Sequence, residues 1–401
     1  MRANSVTVLI PTFNRSEFLL ESLTSILAQT RSAKEIIIVN DGSTDDTLEL
    51  LKPYEGRVRV LSKPNGGKAA ALNFGLKRVT SDLVWIFDDD DIAAPNALEV
   101  LVGLLEANPD ADIAYGRHER FSVDPGGEVC KLGTGYWRNC QPDDFLVETL
   151  DDMFAHQQGM IVRRSLYLLA GTFDEELVRS QDYDMLIRLA RFGTVESTQE
   201  VVFFQRVHHG RRGSQAEGLD ASQRDAAWSR FDRDIFRKHY RELKLSDYLG
   251  KRQSILNPMN KRHALIRRAS VMGRKKLWYL ALLDLRAAEA TSQRPLSIPE
   301  IAALRSTFSS KYGCDDILDN TKLIDQLCEL ATSSTIGSEI VSAMARGLRW
   351  KVRAELFKFE VRKLLRYLLT MRQLKKAANM PVSDTVPADT TAFGRAENAG
   401  R

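Results

Sequence analysis

What the chain is short of narrows it first. Its four cysteines, Cys130, Cys140, Cys314 and Cys328, form no CxxC pair and no zinc spacing. That excludes cysteine-metal and dithiol redox chemistry and reads as reduced thiols. No apolar stretch is long enough to span a bilayer, and Met1 to Ser5 run straight into Val6-Thr7-Val8-Leu9-Ile10 without a signal-peptide core. A cytoplasmic protein is the expectation. No GxGxxG follows that first apolar run, which disfavours dinucleotide chemistry, and no glycine-rich basic loop stands there to hold a triphosphate. Charge is nearly balanced, 57 Lys plus Arg against 53 Asp plus Glu, and the net of +4 is too small to argue for nucleic acid.

What is present begins with four consecutive aspartates, Asp88 to Asp91, directly after the apolar run Leu83-Val84-Trp85-Ile86-Phe87. Such a run reads as a strand buried on both faces of a parallel sheet, whose end delivers carboxylates to the sheet edge where open α/β sheets bind ligands. Packed carboxylates raise one another's pKa unless a cation or donors hold the charge, so a divalent metal, Mg²⁺ or Mn²⁺, is the natural partner. Asp91 is assigned to capping a helix near Pro95, and Asp88 and Asp90 to chemistry. A second apolar run, Ile36 to Val39, ends in Asn40-Asp41-Gly42-Ser43-Thr44. Asp41 there suits a ring N–H or a ribose hydroxyl, and equally an Asx-turn.

At 401 residues the chain fits two or three domains. Strand-like runs at Val6–Ile10, Ile36–Val39, Val58–Leu61 and Leu83–Phe87 alternate with amphipathic segments at Ser16–Gln29, Thr44–Leu51 and Lys68–Val79, the pattern of a doubly wound α/β sheet. From 113 to 220 the pattern loosens around glycines, with helices near Arg164–Ala170 and Tyr183–Phe192. The expected organisation is therefore a first α/β half at 1–112, a second half of the same domain at 113–220, a helical basic region at 221–380 and a disordered tail at 381–401. Residues 346–376 hold eleven Lys or Arg against two Glu, net +9. Trp350, Phe357, Val361, Leu364, Leu365, Leu368 and Met371 fall on one face there, so the stretch is expected as one amphipathic helix, either packed on its neighbours or lying on an anionic membrane surface.

The series Leu9-Ile10-Pro11-Thr12-Phe13-Asn14, Val39-Asn40-Asp41-Gly42-Ser43, Asn65-Gly66-Gly67-Lys68 through Asn73-Phe74-Gly75, Phe87-Asp88-Asp89-Asp90-Asp91, and Gly171-Thr172-Phe173-Asp174-Glu175 with Gln181-Asp182 resembles the family 2 glycosyltransferases of GT-A fold. The match runs over about residues 5 to 210. It implies a nucleotide-sugar site in which Asp41 meets the base, Asp88 the ribose and Asp90 the metal, with Pro11, Thr12, Asn14, Lys68 and Asp89 lining the nucleotide. It implies Asp182 as general base for an acceptor hydroxyl, against a plain helix-capping role. The family often has Glu where this chain has Gln181. His156 is placed in the acceptor groove, and His208 and Arg211 in a glycine-rich loop that closes on the diphosphate; a solvated basic loop is the competing reading.

The function expected is transfer of a sugar, from UDP by default, to a hydroxyl of a glycan or lipid-linked acceptor with inversion, in surface polysaccharide synthesis. A polyprenyl phosphate glycosyltransferase, whose acceptor is already an anion, and a non-catalytic membrane-associated scaffold stay open beside it.

Overall fold

The computed structural model describes residues 4–124, 126–207, 224–251, 253–357 and 360–381. The tail expected at 381–401 lies, beyond Pro381, outside the described residues. The chain divides into two compact units, Met1–Arg252 and Gln253–Arg401. The helix at 224–242, which the sequence placed with the C-terminal region, belongs to the first.

In the first unit, β1 (Val6–Thr12), β2 (Glu35–Asn40), β3 (Arg59–Ser62) and β4 (Leu83–Ile86) lie parallel in the order β3-β2-β1-β4. Their crossovers carry α1 (Ser16–Leu27), α2 (Thr47–Leu51) and α3 (Gly67–Leu76). β1 and β4 are buried along their whole length, as near-continuous apolar runs require in a sheet covered on both faces. On α1 the buried positions Leu19, Ser22, Leu23 and Ile26 form one helical stripe. A Cβ at Gly75 would lie 2.4 Å from Leu9 Cδ1 and 3.0 Å from Val39 Cγ2, so the glycine lets α3 sit close on β1 and β2.

The sheet continues through β5 (Ile92–Ala93), β6 (Ile113–Val123), β7 (Val129–Thr134), β8 (Met160–Arg163) and β9 (Val195–Arg206) in the order β4-β8-β6-β9-β5, with β7 pairing β6. This half is mixed: β8 runs antiparallel to β4 and β6, while β9 runs parallel to β6. The sequence reading found neither β6 nor β9, because their apolar residues are interrupted by Arg117, Glu119, Thr198 and Glu200 and their pairing partners are remote in sequence. Around them pack α4 (Ala97–Ala107), α5 (Phe145–Asp151), α6 (Arg164–Ala170), α7 (Gln181–Phe192) and α8 (Arg224–Glu242).

The second unit is helical: α9 (Pro258–Arg274), α10 (Trp278–Thr291), α11 (Ile298–Ser306), α12 (Asp316–Asp319), α13 (Thr321–Ser333), α14 (Thr335–Gly347), α15 (Arg349–Phe357) and α16 (Val361–Ala378). Arg262, fully buried, is held by Glu300 at 2.8 Å and by the carbonyls of Ser292 and Pro295. The single amphipathic helix expected over 346–376 is instead split. α14 ends at Gly347, α15 ends at Phe357, and α16 begins after Glu360, whose N–H donates to the Glu355 carbonyl. The expected apolar face is divided as well. Tyr367 and Leu374 are buried while Val361, Leu365 and Leu368 are exposed, because the inward stripe of α16 is set by Tyr367, Leu374 and Ala378.

Candidate active site

Three segments meet at the carboxyl edge of β1, β2 and β4. After β1, Asn14 adopts φ 50° and bridges to the loop after β2: its N–H donates to Ser43 Oγ at 3.0 Å, and its Oδ1 accepts from the Thr44 N–H at 2.8 Å. Pro11 and Thr12 are buried as the last two residues of β1. The turn after β2 is closed by Asn40, whose Oδ1 accepts from the Ser43 N–H at 2.9 Å. The neighbouring Asp41 therefore does not make that Asx-turn. Its buried carboxylate accepts from Lys63 Nζ at 2.5 Å and from the N–H groups of Gly66 and Gly67 at 3.1 and 2.7 Å. This fixes the glycine loop at the start of α3, where an anion suits the helix dipole.

The aspartate run follows β4. Asp88 receives Lys68 Nζ on Oδ1 at 2.6 Å and Gln158 Nε2 on Oδ2 at 2.6 Å. Gln158 is itself fixed by Trp85, whose indole N–H donates to its carbonyl at 2.8 Å. Burial raises the Asp88 pKa, Lys68 pulls it down, and Asp90 and Asp182 push it up again. Burial would lower the Lys68 pKa, but the charges of Asp88, Asp182 and Asp90 outweigh it and hold the ammonium above its usual range. Asp89 is pushed up to about 7 by burial and by Asp90, against Arg15 and the Thr12 hydroxyl. Asp90 pairs with Arg15 at 3.0 Å.

Asp91 is not a helix cap. It is 2% exposed, its Oδ1 accepts the Arg206 N–H at 2.8 Å, and the next helix is preceded by Asn96. One carboxylate oxygen from each of Asp88, Asp90 and Asp91 lies within 4.8 Å of the others. All-oxygen, anionic donors at that spacing suit a hard divalent cation such as Mg²⁺ or Mn²⁺, and the raised Asp88 and Asp89 mark negative charge that such an ion would relieve.

Asp182 stands in the first turn of α7, two residues past Ser180, with its Oδ1 on the Tyr183 N–H at 2.9 Å. Ser180, not Asp182, occupies the position before the helix. Gln181 is buried, and its Oε1 has no hydrogen-bond partner among the described residues. The loop leading to α7 is clamped by Asn73, which donates to the Phe173 carbonyl at 2.9 Å and accepts the Phe173 N–H at 2.8 Å. Behind α7, the fully buried Asp184 meets Arg188 at 2.7 Å, His239 at 3.0 Å and Lys238 at 3.5 Å, so α8 is tied to α7 through this carboxylate. His156 stands edge-on to the His118 ring at 4.8 Å, beside Phe203.

Arg206 is part of the scaffold. Its side chain packs over Phe18 and Phe121, donates to the Asp90 carbonyl at 3.0 Å and pairs with Glu21, and so does not reach out as a phosphate ligand. His208 and Arg211 lie outside the described residues. The sequence reading placed Gln158 only with His156 in the stretch 156–159 along the acceptor groove, whereas its side chain bonds Asp88; it did not single out Lys63, since a lysine after a strand carries no motif.

Residues 7–168 match the model of glycosyl transferase family 2. The chain is 29% identical over 255 residues, 61% of its length and 41% of the relative's, to an uncharacterized glycosyltransferase of Rickettsia felis. To the chondroitin synthase of Pasteurella multocida it is 32% identical over 224 residues, 55% of this chain and 22% of that one. The chain thus spans less than half the length of either relative. The crystal structure of S. aureus TarS 1-349 in complex with UDP-GlcNAc shares the fold, with TM-score 0.51 and 15% identity over 93% of this chain and 92% of that one. The Asp-ended parallel strands, the Asn73 clamp and these matches agree: residues 7–168 carry the match to glycosyl transferase family 2, on a GT-A fold followed by a helical region.

Proposed function

We propose that this chain is a metal-dependent, inverting glycosyltransferase that moves a sugar from a nucleoside diphosphate sugar, UDP by default, to a hydroxyl of a glycan or lipid-linked acceptor. One observation carries the reading: the Lys68 ammonium is bonded to Asp88 and lies within the fields of both Asp90 and Asp182. Donor-side and acceptor-side carboxylates therefore share one site. The chondroitin synthase relative supports a glycan-building role, here surface polysaccharide synthesis.

In this reading Pro11, Thr12, Asn14 and Asp41 line the nucleobase, with Lys63 holding the Asp41 carboxylate in place, and Asp88 and Asp89 take the ribose. Asp90 would hold Mg²⁺ or Mn²⁺, with Asp88 and Asp91 in reach, and the bound ion would neutralise charge on the departing diphosphate. Asp182 accepts the proton of the acceptor hydroxyl while that oxygen forms its bond to the anomeric carbon. The bond from that carbon to the diphosphate oxygen breaks on the opposite face, so the configuration inverts. Gln181, uncharged where a carboxylate is common, leaves Asp182 without an anionic neighbour on its N-terminal side.

The test is a panel of nucleotide-sugars with Mg²⁺, Mn²⁺ or chelator, following hydrolysis of the donor without acceptor. Metal-stimulated hydrolysis of one donor, lost in Asp90→Asn, is expected. Hydrolysis of none, or full activity of Asp90→Asn, contradicts the reading.

A further inference from the structure

The second unit ends on two helices whose outward sides are apolar and cationic together. α15 leaves Trp350, Leu356 and Phe357 exposed by 40%, 58% and 71%, and α16 leaves Val361, Leu365, Leu368 and Leu369 exposed by 61%, 54%, 37% and 64%. On α16 these four stand at i, i+4, i+7 and i+8, which is one continuous stripe. Single exposed leucines are ordinary, whereas a contiguous exposed stripe marks an interaction site. The inward stripe of the same helix, Tyr367, Leu374, Ala377 and Ala378, is buried, so the outward apolar residues are not needed for packing.

The charge around the stripe is mainly positive, with Glu360, exposed just ahead of Val361, as the acid at its start. Arg353, Arg362, Arg372 and Lys376 are all exposed beside it. The acid of α15, Glu355, is 3% exposed and turned away from that surface. Lys363 and Arg366 are taken by Asp315 and Asp319, which leaves the other four cations on the stripe's border.

We propose that α15 and α16 form a docking face for an anionic lipid surface, lying in its plane with the apolar stripe in the headgroup boundary and the arginines among lipid phosphates. Charge complementarity selects this occupant: a second copy of the chain would bring the same positive border and repel it, and a neutral apolar partner would leave the cations unmatched. Among the described residues no helix is long and apolar enough to cross a membrane, so the helices would lie on the surface and not span it. The inference stands without the transferase reading.

The experiment is co-sedimentation of the full chain with vesicles of phosphatidylglycerol and phosphatidylcholine, against phosphatidylcholine alone, at low and high salt. Binding should need phosphatidylglycerol and weaken with salt. Leu365→Ser with Leu369→Ser, and separately Arg362→Gln with Arg372→Gln, should each lower the partition coefficient at least about tenfold, with melting temperature unchanged because both pairs are exposed. Absence of binding to either vesicle overturns the proposal, as does equal partition of wild type and both double variants. So does a concentration-dependent oligomer, seen by size-exclusion chromatography, that the serine pair dissolves in a protein that never pellets with vesicles.

Discussion

Lys68 Nζ, in the first turn of α3, lies 2.6 Å from Asp88 Oδ1, just past the end of the fully buried β4. The pair joins two motifs 20 residues apart. Because the same ammonium is also raised by Asp182, far along the chain on α7, it serves as counter-charge to both halves of the site.

Replacing Lys68 with Met removes that counter-charge from Asp88 and Asp182 together. Asp88 then becomes harder to ionise, because Lys68 is the group that pulls its pKa down, so the acid limb of the kcat/KM profile for donor hydrolysis should move to higher pH. A limb that stays in place would mean that Lys68 acts elsewhere. The melting temperature, measured alongside, should stay unchanged, since the Lys68 side chain is only partly buried.

Asp184 gives a pH prediction for stability. Burial alone would raise its pKa, but His239, Arg188 and Lys238 hold the carboxyl below the ordinary range. A folded-state pKa below the unfolded value of about 3.9 means that the stabilisation is complete above that value and is lost as pH falls through the folded one. Asp184→Asn should cost about 3 kcal/mol at neutral pH, the lower end for breaking a buried pair because Arg188 keeps some solvent contact. The variant's denaturation midpoint should also fall less steeply below about pH 4 than that of wild type. Parallel acid limbs for the two proteins would contradict the assignment.

His118 predicts a second window. It stacks on Phe203 at 4.9 Å, and burial, with His156 and Arg120, pushes its pKa down to about 3. Between roughly pH 6.5 and 3 the unfolded chain binds a proton that the folded one refuses, so stability declines as pH falls, by about 1.4 kcal/mol per unit once well below 6.5. His118→Phe should flatten that decline in urea titrations at pH 4 to 7. An unchanged slope would show that another group is responsible.

Much of this was legible in the sequence because the parallel strands are apolar runs and their ends carry the acids. The β4 run and the Asp88–Asp91 junction and the strand leading to Asp41 stand where local pattern put them, and α7 opens two residues before the Tyr183 start that the pattern suggested, so that Asp182 falls inside its first turn. What escaped depends on distance. Gln158 reaches Asp88 from 70 residues away and Arg206 reaches Asp90 from 116 residues away, pairings that no local pattern predicts. Asp91 was misassigned because a local cap competes on equal terms with a remote backbone donor until β9 is in place. The break between α15 and α16 was hidden by a periodicity that runs through 358–360 without a proline or glycine.

The central claim is that Asp182 is the base of a site whose donor is held by the strand-end aspartates. Its most direct test is Asp182→Asn, measured for binding of the nucleotide-sugar by calorimetry and for turnover of that donor to water or acceptor. The account predicts binding within about twofold of wild type and turnover reduced by about a hundredfold or more, the size of a lost general base. Turnover close to wild type at unchanged affinity would contradict it and point to an acceptor that is already an anion.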